Sequence, residues 1–453
     1  MKKGLKRVGQ LLGLGGLLSI LASPIVIEEY PLLQGKKHEF MPILSIEDRY
    51  CLPTTEITTS LEPAQRPELS DSRATLEEQV ASLIIGLESK IGEYVPGGIL
   101  LTNNQTREGH LFGRFSSYDA EETQESVESI WELAKDQNKE ILIYDEGEGG
   151  YVMRIGTLPS AENIGDYYFR NKISGTIKGR VQESNDKEVR RREVQRLFSE
   201  YAQELHNRGV DAVLGPVLDV RDPNHKSILI HSERSFSSDF NEVQELAELY
   251  SLAMENFGIK TIGKHFLTTA LADGDPHDSE IVNDNKKKPR IKAGRLYGLL
   301  GERLDGVMVT HNGNPSDLGR PYSLSRRAYQ FLTQEKYPIP DGESAFIDER
   351  EDQRRYNGLN YNGWVIIDDV EMEGIRAYVS KHELSERGKR LVAGCDTLEA
   401  RTVVLALDQG AQGAIVRGEI DPIVKGISEA YKNDPMFEKK IIKAIESYQE
   451  FKK

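Results

Sequence analysis

The chain has 453 residues, 38% of them hydrophobic, enough for one large core or one barrel with insertions. It carries 58 Lys and Arg against 73 Asp and Glu, a formal charge of −15. An acidic surface repels phosphate polyanions, which argues against a nucleic-acid partner. The two cysteines, Cys51 and Cys395, are too few and too far apart for a zinc site, and no residue spacing implies a metal or a cofactor.

At the N-terminus, Lys2, Lys3, Lys6 and Arg7 precede an apolar run from Leu11 to Ile27. A basic start before a short apolar stretch reads as a signal sequence or a membrane anchor over residues 1–27. An extracytoplasmic protein is therefore expected, secreted or tethered to a membrane through this end. No cysteine closes the run, so lipidation is not indicated. Residues 28–73 are rich in proline, threonine and charge, and read as a linker or strap.

Periodicity begins at Leu76, with Val80, Leu83, Ile84 and Leu87 at helical spacing. The apolar run Gly97–Thr102 follows. A helix carrying Val127, Ile130, Trp131 and Ala134 leads to a strand at Ile141–Tyr144. A second, with Val194, Leu197, Phe198, Tyr201 and Leu205, leads to a strand over Ala212–Leu218. A third, with Val243, Leu246, Ala247 and Tyr250, leads to a strand around Thr261. Further runs lie at Gly306–Val309, Trp364–Ile367 and Ala414–Val416. Continuous apolar runs of this kind suit strands buried on both faces, as in a parallel sheet. Repeated strand–helix units make the class α/β. A single, possibly irregular (β/α)8 barrel over residues 74–453 fits better than a doubly wound sheet, because polar residues follow nearly every strand, where barrel sites are built. Charged stretches at 170–192 and 338–362 read as solvated insertions.

The polar residues at the strand ends are dense. Asp145, Glu146 and Glu148 follow one strand, with Arg154 beyond. Asp219 ends the next, with Arg234 further on. Lys264 and His265 end another, before a loop holding Asp273, Asp275, His277, Asp278 and Glu280. His311 and Asn312, then Asp368 and Asp369, complete the set. Together they describe a polar pocket for a hydroxyl-rich ligand. Glycoside cleavage needs such a setting: a carboxylate nucleophile, a proton donor and charged groups that grip hydroxyls.

These residues fall in segments that resemble a known family. Glu148-Gly149-Gly150-Tyr151-Val152-Met153-Arg154, Gly215-Pro216-Val217-Leu218-Asp219-Val220, Glu233-Arg234-Ser235-Phe236, Gly263-Lys264-His265-Phe266, Asp278-Ser279-Glu280 and Gly363-Trp364-Val365-Ile366-Ile367-Asp368-Asp369 occur in the order of glycoside hydrolase family 3. They resemble its bacterial β-N-acetylglucosaminidase (β-hexosaminidase) branch over about residues 95–420. The resemblance implies a retaining exo-β-N-acetylhexosaminidase, with Asp368 as nucleophile and an N-acetylglucosamine-type glycoside as substrate. It implies that Arg154, Arg234, Lys264, His265, Glu146 and Asp219 hold the sugar, and that Asp278 and Glu280 stand where the family has an aspartate and its acid/base histidine.

The sequence departs from that pattern in four places. Glu280 replaces the histidine, whose family partner is the aspartate two residues earlier. Glu146 replaces a sugar-binding aspartate, and Tyr151 the arginine after the glycines. Ile367 replaces the serine before the nucleophile. The loop after Phe266 reads Leu267-Thr268-Thr269-Ala270-Leu271-Ala272-Asp273-Gly274-Asp275 where the family's is rich in proline, glycine and histidine. Three readings of the proton donor stay open. Glu280 serves as the acid if burial or Asp368 raises its pKa. His277 takes the role instead. Or the site has lost its donor and only binds carbohydrate. A barrel aldolase with Lys264 as a Schiff-base amine is a further option.

Overall fold

The computed structural model describes residues 74–87, 90–101, 120–150, 152, 155–283, 287–317, 319–337 and 356–453. The leader and strap read over residues 1–73, including Cys51, and Arg154 lie outside the described residues. So does most of the charged stretch before Trp364, residues 338–355.

Eight strands close into a parallel barrel: β1 (Ile84–Gly86), β2 (Gly98–Leu100), β3 (Leu142–Asp145), β4 (Ala212–Val213), β5 (Lys260–Phe266), β6 (Gly306–Val309), β7 (Trp364–Ile367) and β8 (Gly413–Ile415). Neighbours in sequence are neighbours in space, and Ile84 facing Ala414 closes the ring. The expected single barrel is what forms. Its strands are buried on both faces, barrel interior on one side and helices on the other, which is why they read as unbroken apolar runs. Gly98 shows how tightly the interior is filled. A methyl group there would come within 2.2 Å of the Tyr144 ring, so only glycine lets that tyrosine lie across the barrel.

The surrounding helices start where capping side chains permit. Asp186 caps α4 (Lys187–Asn207), accepting from the Glu188 N–H. Asp239 caps α5 (Phe240–Asn256), accepting from Asn241 and Glu242. Asp434 caps α11 (Pro435–Lys452), where Pro435 fills the first turn without a missing bond. Each packs one apolar stripe on the strands. Val194, Leu197, Phe198, Tyr201 and Leu205 do so for α4, and Phe437, Ile441, Ala444, Ile445 and Tyr448 for α11. At the face where the strands begin, the Trp364 ring lies 5.3 Å from that of Tyr448 and 4.8 Å from that of Phe451, sealing the core.

Three expectations are corrected. The periodicity from Leu76 reads as one helix to Leu87. Instead α1 (Leu76–Ala81) stops and Ile84–Gly86 form the first strand. Over a fully apolar run, spacing alone does not separate helix from strand. The run Ala212–Leu218 is a continuous ladder at Ala212–Val213, breaks, and pairs again with β5 at a single bridge, Val217 to Lys264, before reaching Asp219 at the barrel's end. Residues 170–192 are not a plain solvated loop. They hold the end of α3 (Ala161–Arg170) and the first turn of α4, where buried Arg190 donates to the carbonyls of Tyr168 and Ser184. No described helix is long and apolar enough to cross a membrane.

Candidate active site

The strands all point their C-terminal ends at one pocket. Its lining comes from Leu100 at the end of β2, Glu146 beyond β3, Leu214 beyond β4, Lys264 and His265 of β5, Met308 of β6, Asp368 and Asp369 beyond β7 and Arg417 beyond β8. The parallel topology alone brings residues 317 positions apart in sequence, Leu100 and Arg417, to one opening.

One wall is a buried ionic network. Lys264 Nζ lies 2.8 Å from Glu146 Oε2 and 2.5 Å from Glu148 Oε1. Arg234 grips Glu148 with two donors, Nε at 2.5 Å and Nη2 at 2.7 Å. Burial works against each charge, but the partners outweigh it. Lys264 and Arg234 are held above their ordinary values and Glu148 below its own. Behind this wall, His265 Nδ1 donates to Asp219 Oδ2 at 2.8 Å, which leaves Nε2 to accept from Arg234 Nη2 at 3.4 Å. Asp219 is fixed in turn by Thr268 Oγ1 and the Thr269 N–H. Its carboxyl would rise with burial, yet His265 and these donors keep it low. Glu146, Arg234, Lys264, His265 and Asp219 are thus brought together. Asp219 stands one shell back, orienting the histidine. Glu148, counted in the sequence among the polar strand ends but given no role of its own, is the carboxylate on which both cations converge.

The opposite wall is the end of β7. Burial pushes the Asp368 carboxyl up, but the rings of His265, His311 and His277 and the Asp369 N–H hold it below the usual carboxylate range, so it is ionised. The ring of His311 is buried. Its Nε2 donates to the carbonyls of Asp368 and Asp369 at 3.0 and 3.1 Å, and its Nδ1 accepts from Ser323 Oγ at 2.7 Å. Burial lowers the His311 pKa against the pull of those two aspartates. His311 and Asn312 are both buried, His311 against the carbonyls of Asp368 and Asp369 and Asn312 donating to Asn283 Oδ1.

The loop after β5 places its residues unequally. Asp275 Oδ1 accepts from both the N–H and the Nδ1 of His277, at 2.9 and 2.5 Å. The loop is clamped on α8 (Glu373–Lys381), whose Glu373 and Gly374 N–H groups donate to the carbonyls of His277 and Pro276. A side chain at Gly374 would meet the carbonyls of Ser279 and Pro276 at 2.7 and 2.9 Å, so the loop packs directly on bare backbone. That register turns His277 into the pocket lining. Asp278 is exposed and Glu280 half-buried beside Tyr378 on α8, and neither lines the pocket. The structure does not bring these two to the other candidates. The sequence does carry a matching spacing here: Asp275-Pro276-His277 has an aspartate two residues before a histidine, three positions earlier than Asp278-Ser279-Glu280. Among the described residues no cluster of His, Cys, Asp or Glu is arranged for a metal ion.

The family model for the glycosyl hydrolase family 3 N terminal domain matches residues 75–423. A protein of Idiomarina loihiensis called beta-hexosaminidase is 26% identical over 280 residues, 60% of this chain and 72% of its own. One from Tolumonas auensis with the same name is 28% identical over 313 residues, 67% of this chain and 78% of its own. The solved structure of a beta-N-acetylhexosaminidase from Beutenbergia cavernae superposes with a TM-score of 0.59 at 18% identity, covering 84% of this chain and 99% of that one.

Proposed function

We propose a function from one premise: this chain belongs to the family of the glycosyl hydrolase family 3 N terminal domain, which makes it a glycoside hydrolase by family. We infer that it is a retaining exo-β-N-acetylhexosaminidase, in which Asp368 attacks the anomeric carbon and His277 moves the proton. The relatives called beta-hexosaminidase support the sugar class. The single observation that carries the mechanism is that an ionised Asp368 and an Asp275-bound His277 line the same pocket.

The steps follow from the partners. Asp368 Oδ displaces the leaving group to form a glycosyl ester, while His277 protonates the departing oxygen. Water then attacks the ester, with His277 taking its proton, and Asp368 is released. Asp275 fixes the imidazole through Nδ1, which leaves Nε2 for the transfer. Lys264, Arg234 and Glu146 hold the hydroxyls and any amide oxygen of the sugar. The reading of Glu280 as acid loses support from its place beside Tyr378. The binding-only reading rested on the lack of a donor, and His277 supplies one. The Schiff-base reading needs a neutral amine, whereas the two glutamates hold Lys264 protonated.

The test is turnover of an aryl N-acetyl-β-glucosaminide by the purified protein. Asp368→Asn should abolish it, and His277→Ala should retain turnover only with good leaving groups, with a glycosyl adduct found by mass spectrometry on the peptide bearing Asp368. No turnover across a panel of aryl glycosides would sink the reading.

A further inference from the structure

Arg417 is a pocket cation that no segment resembling the family predicts. It stands at the end of β8, two residues past Ile415, and lines the same pocket as Asp368 and Lys264. Its Nε lies 2.5 Å from Asp369 Oδ2. Asp369 is itself anchored, because its Oδ1 accepts from the Glu371 N–H at 3.0 Å. Both oxygens of a buried carboxylate are thus spent on fixing one turn and one guanidinium. The turn after Arg417 is held from the other side. A side chain at Gly418 would overlap the Glu371 carboxylate, so that group lies directly over the backbone there.

This arrangement leaves the other end of the guanidinium unused. Among the described residues, neither Nη1 nor Nη2 of Arg417 has a partner, and the side chain is 35% exposed. Arginine in such a place presents a planar fork of donors with no ability to accept. Glu146, across the pocket, lies near enough for its charge to act on Arg417. A ligand gripped by Glu146 and Lys264 therefore comes within the field of the Arg417 fork.

We infer that Arg417 is a specificity-determining residue that reads one neutral hydroxyl of the bound sugar, with Asp369 as its positioning partner. The inference rests on the glycoside-binding reading of the pocket. The oxygen is neutral rather than carboxylate because carboxylates already outnumber the cations here. Arg234, Lys264 and Arg417 face Glu146, Glu148, Asp368 and Asp369, so the pocket has no positive surplus to hold an anionic sugar before its histidines are counted. Tyr151 stands where the resembling segment has an arginine, and Arg417 brings a guanidinium to the pocket from the opposite end of the chain.

The experiment measures calorimetric binding of N-acetylglucosamine and its 3-, 4- and 6-deoxy analogues to the native chain, Arg417→Lys and Arg417→Ala, beside turnover of an aryl N-acetyl-β-glucosaminide. Arg417→Lys keeps a cation on Asp369 and loses the fork, so it separates recognition from damage to the ion pair. In the native chain one deoxy analogue should bind about tenfold more weakly than the parent, the worth of one hydrogen bond to a charged donor. In both variants that one penalty should shrink to about twofold, with the other penalties intact. Equal loss of affinity for all four ligands, or deoxy penalties unchanged from native, would overturn the inference, as would an absence of binding by the native chain. Binding that follows the expected pattern without turnover would leave it standing and remove the hydrolytic reading instead.

Discussion

The imidazole of His277 and the carboxylate of Asp275 are joined twice over, through the ring Nδ1 at 2.5 Å and through the His277 backbone N–H at 2.9 Å. One carboxylate oxygen therefore sets both the ring's orientation and the local turn. Burial would raise the Asp275 carboxyl, but His277 holds it below its ordinary range. Asp275→Asn keeps the shape and removes the charge that steadies the ring as it takes a proton. We expect kcat to fall about 10²-fold, in line with the worth of a positioned acid/base. The fall should be larger for alkyl than for nitrophenyl leaving groups, measured as kcat on a series of aglycones. An equal loss across the series would argue that Asp275 only shapes the loop.

Asp278 and Glu280 give the contrasting case. With neither in the pocket lining, Asp278→Asn and Glu280→Gln should each change kcat/KM by less than about threefold. A loss of 10²-fold in Glu280→Gln that spares activated substrates would return the acid role to Glu280.

The Glu148–Lys264–Arg234 network makes stability depend on pH in a stated direction. Glu148 has its folded pKa depressed below the ordinary glutamate value of 4.5. Its contribution is thus present above that value and fades as pH falls through the lower folded value. Lys264 is raised above 10.5, so its contribution is present below that value and lost only as pH climbs through the higher folded one. Urea unfolding followed from pH 7 to pH 3 should show stability falling at the acid end. In Glu148→Gln the fall should be shallower, on a lower plateau, because two buried cations lose their shared partner. An acid limb as steep as native would remove Glu148 from the cause.

Trp364 tests the seal at the other end of the barrel. Its side chain is fully buried between Gln412, Tyr448 and Phe451. Trp364→Ala should cost about 3–5 kcal/mol in urea unfolding. Since the ring is at the start of β7 and Asp368 just beyond its end, the surviving folded fraction should keep the native KM. A raised KM would show that the two ends of the strand are coupled.

How much of this was legible beforehand depends on what each signal measures. The strands from β2 to β8 announced themselves because burial on two faces demands unbroken apolar residues. β1 did not, because Ile84 and Ile85 continue a spacing that helices share. The polar strand ends were legible for the same topological reason, and Asp368, Lys264, His265 and Arg234 meet as expected. The proton donor stayed open in the sequence because a loop's register is set by tertiary clamps. Here Glu373 and Gly374 of α8 bind the carbonyls of His277 and Pro276 from nearly one hundred positions away. Arg417 was invisible, since nothing local distinguishes an arginine beyond an apolar run from a solvated one.

Ala74 and Lys452 share one groove on the face where the strands begin, with Gly97, Glu140 and Tyr448 between them. The pocket bearing Asp368 opens at the other pole. Attachment at either extremity of the barrel domain would therefore act like a handle at the back of a bowl. A domain fixed to a bead or a chip through residue 74 or residue 452 should turn its opening to the liquid, so immobilised and free protein should work at the same rate per molecule.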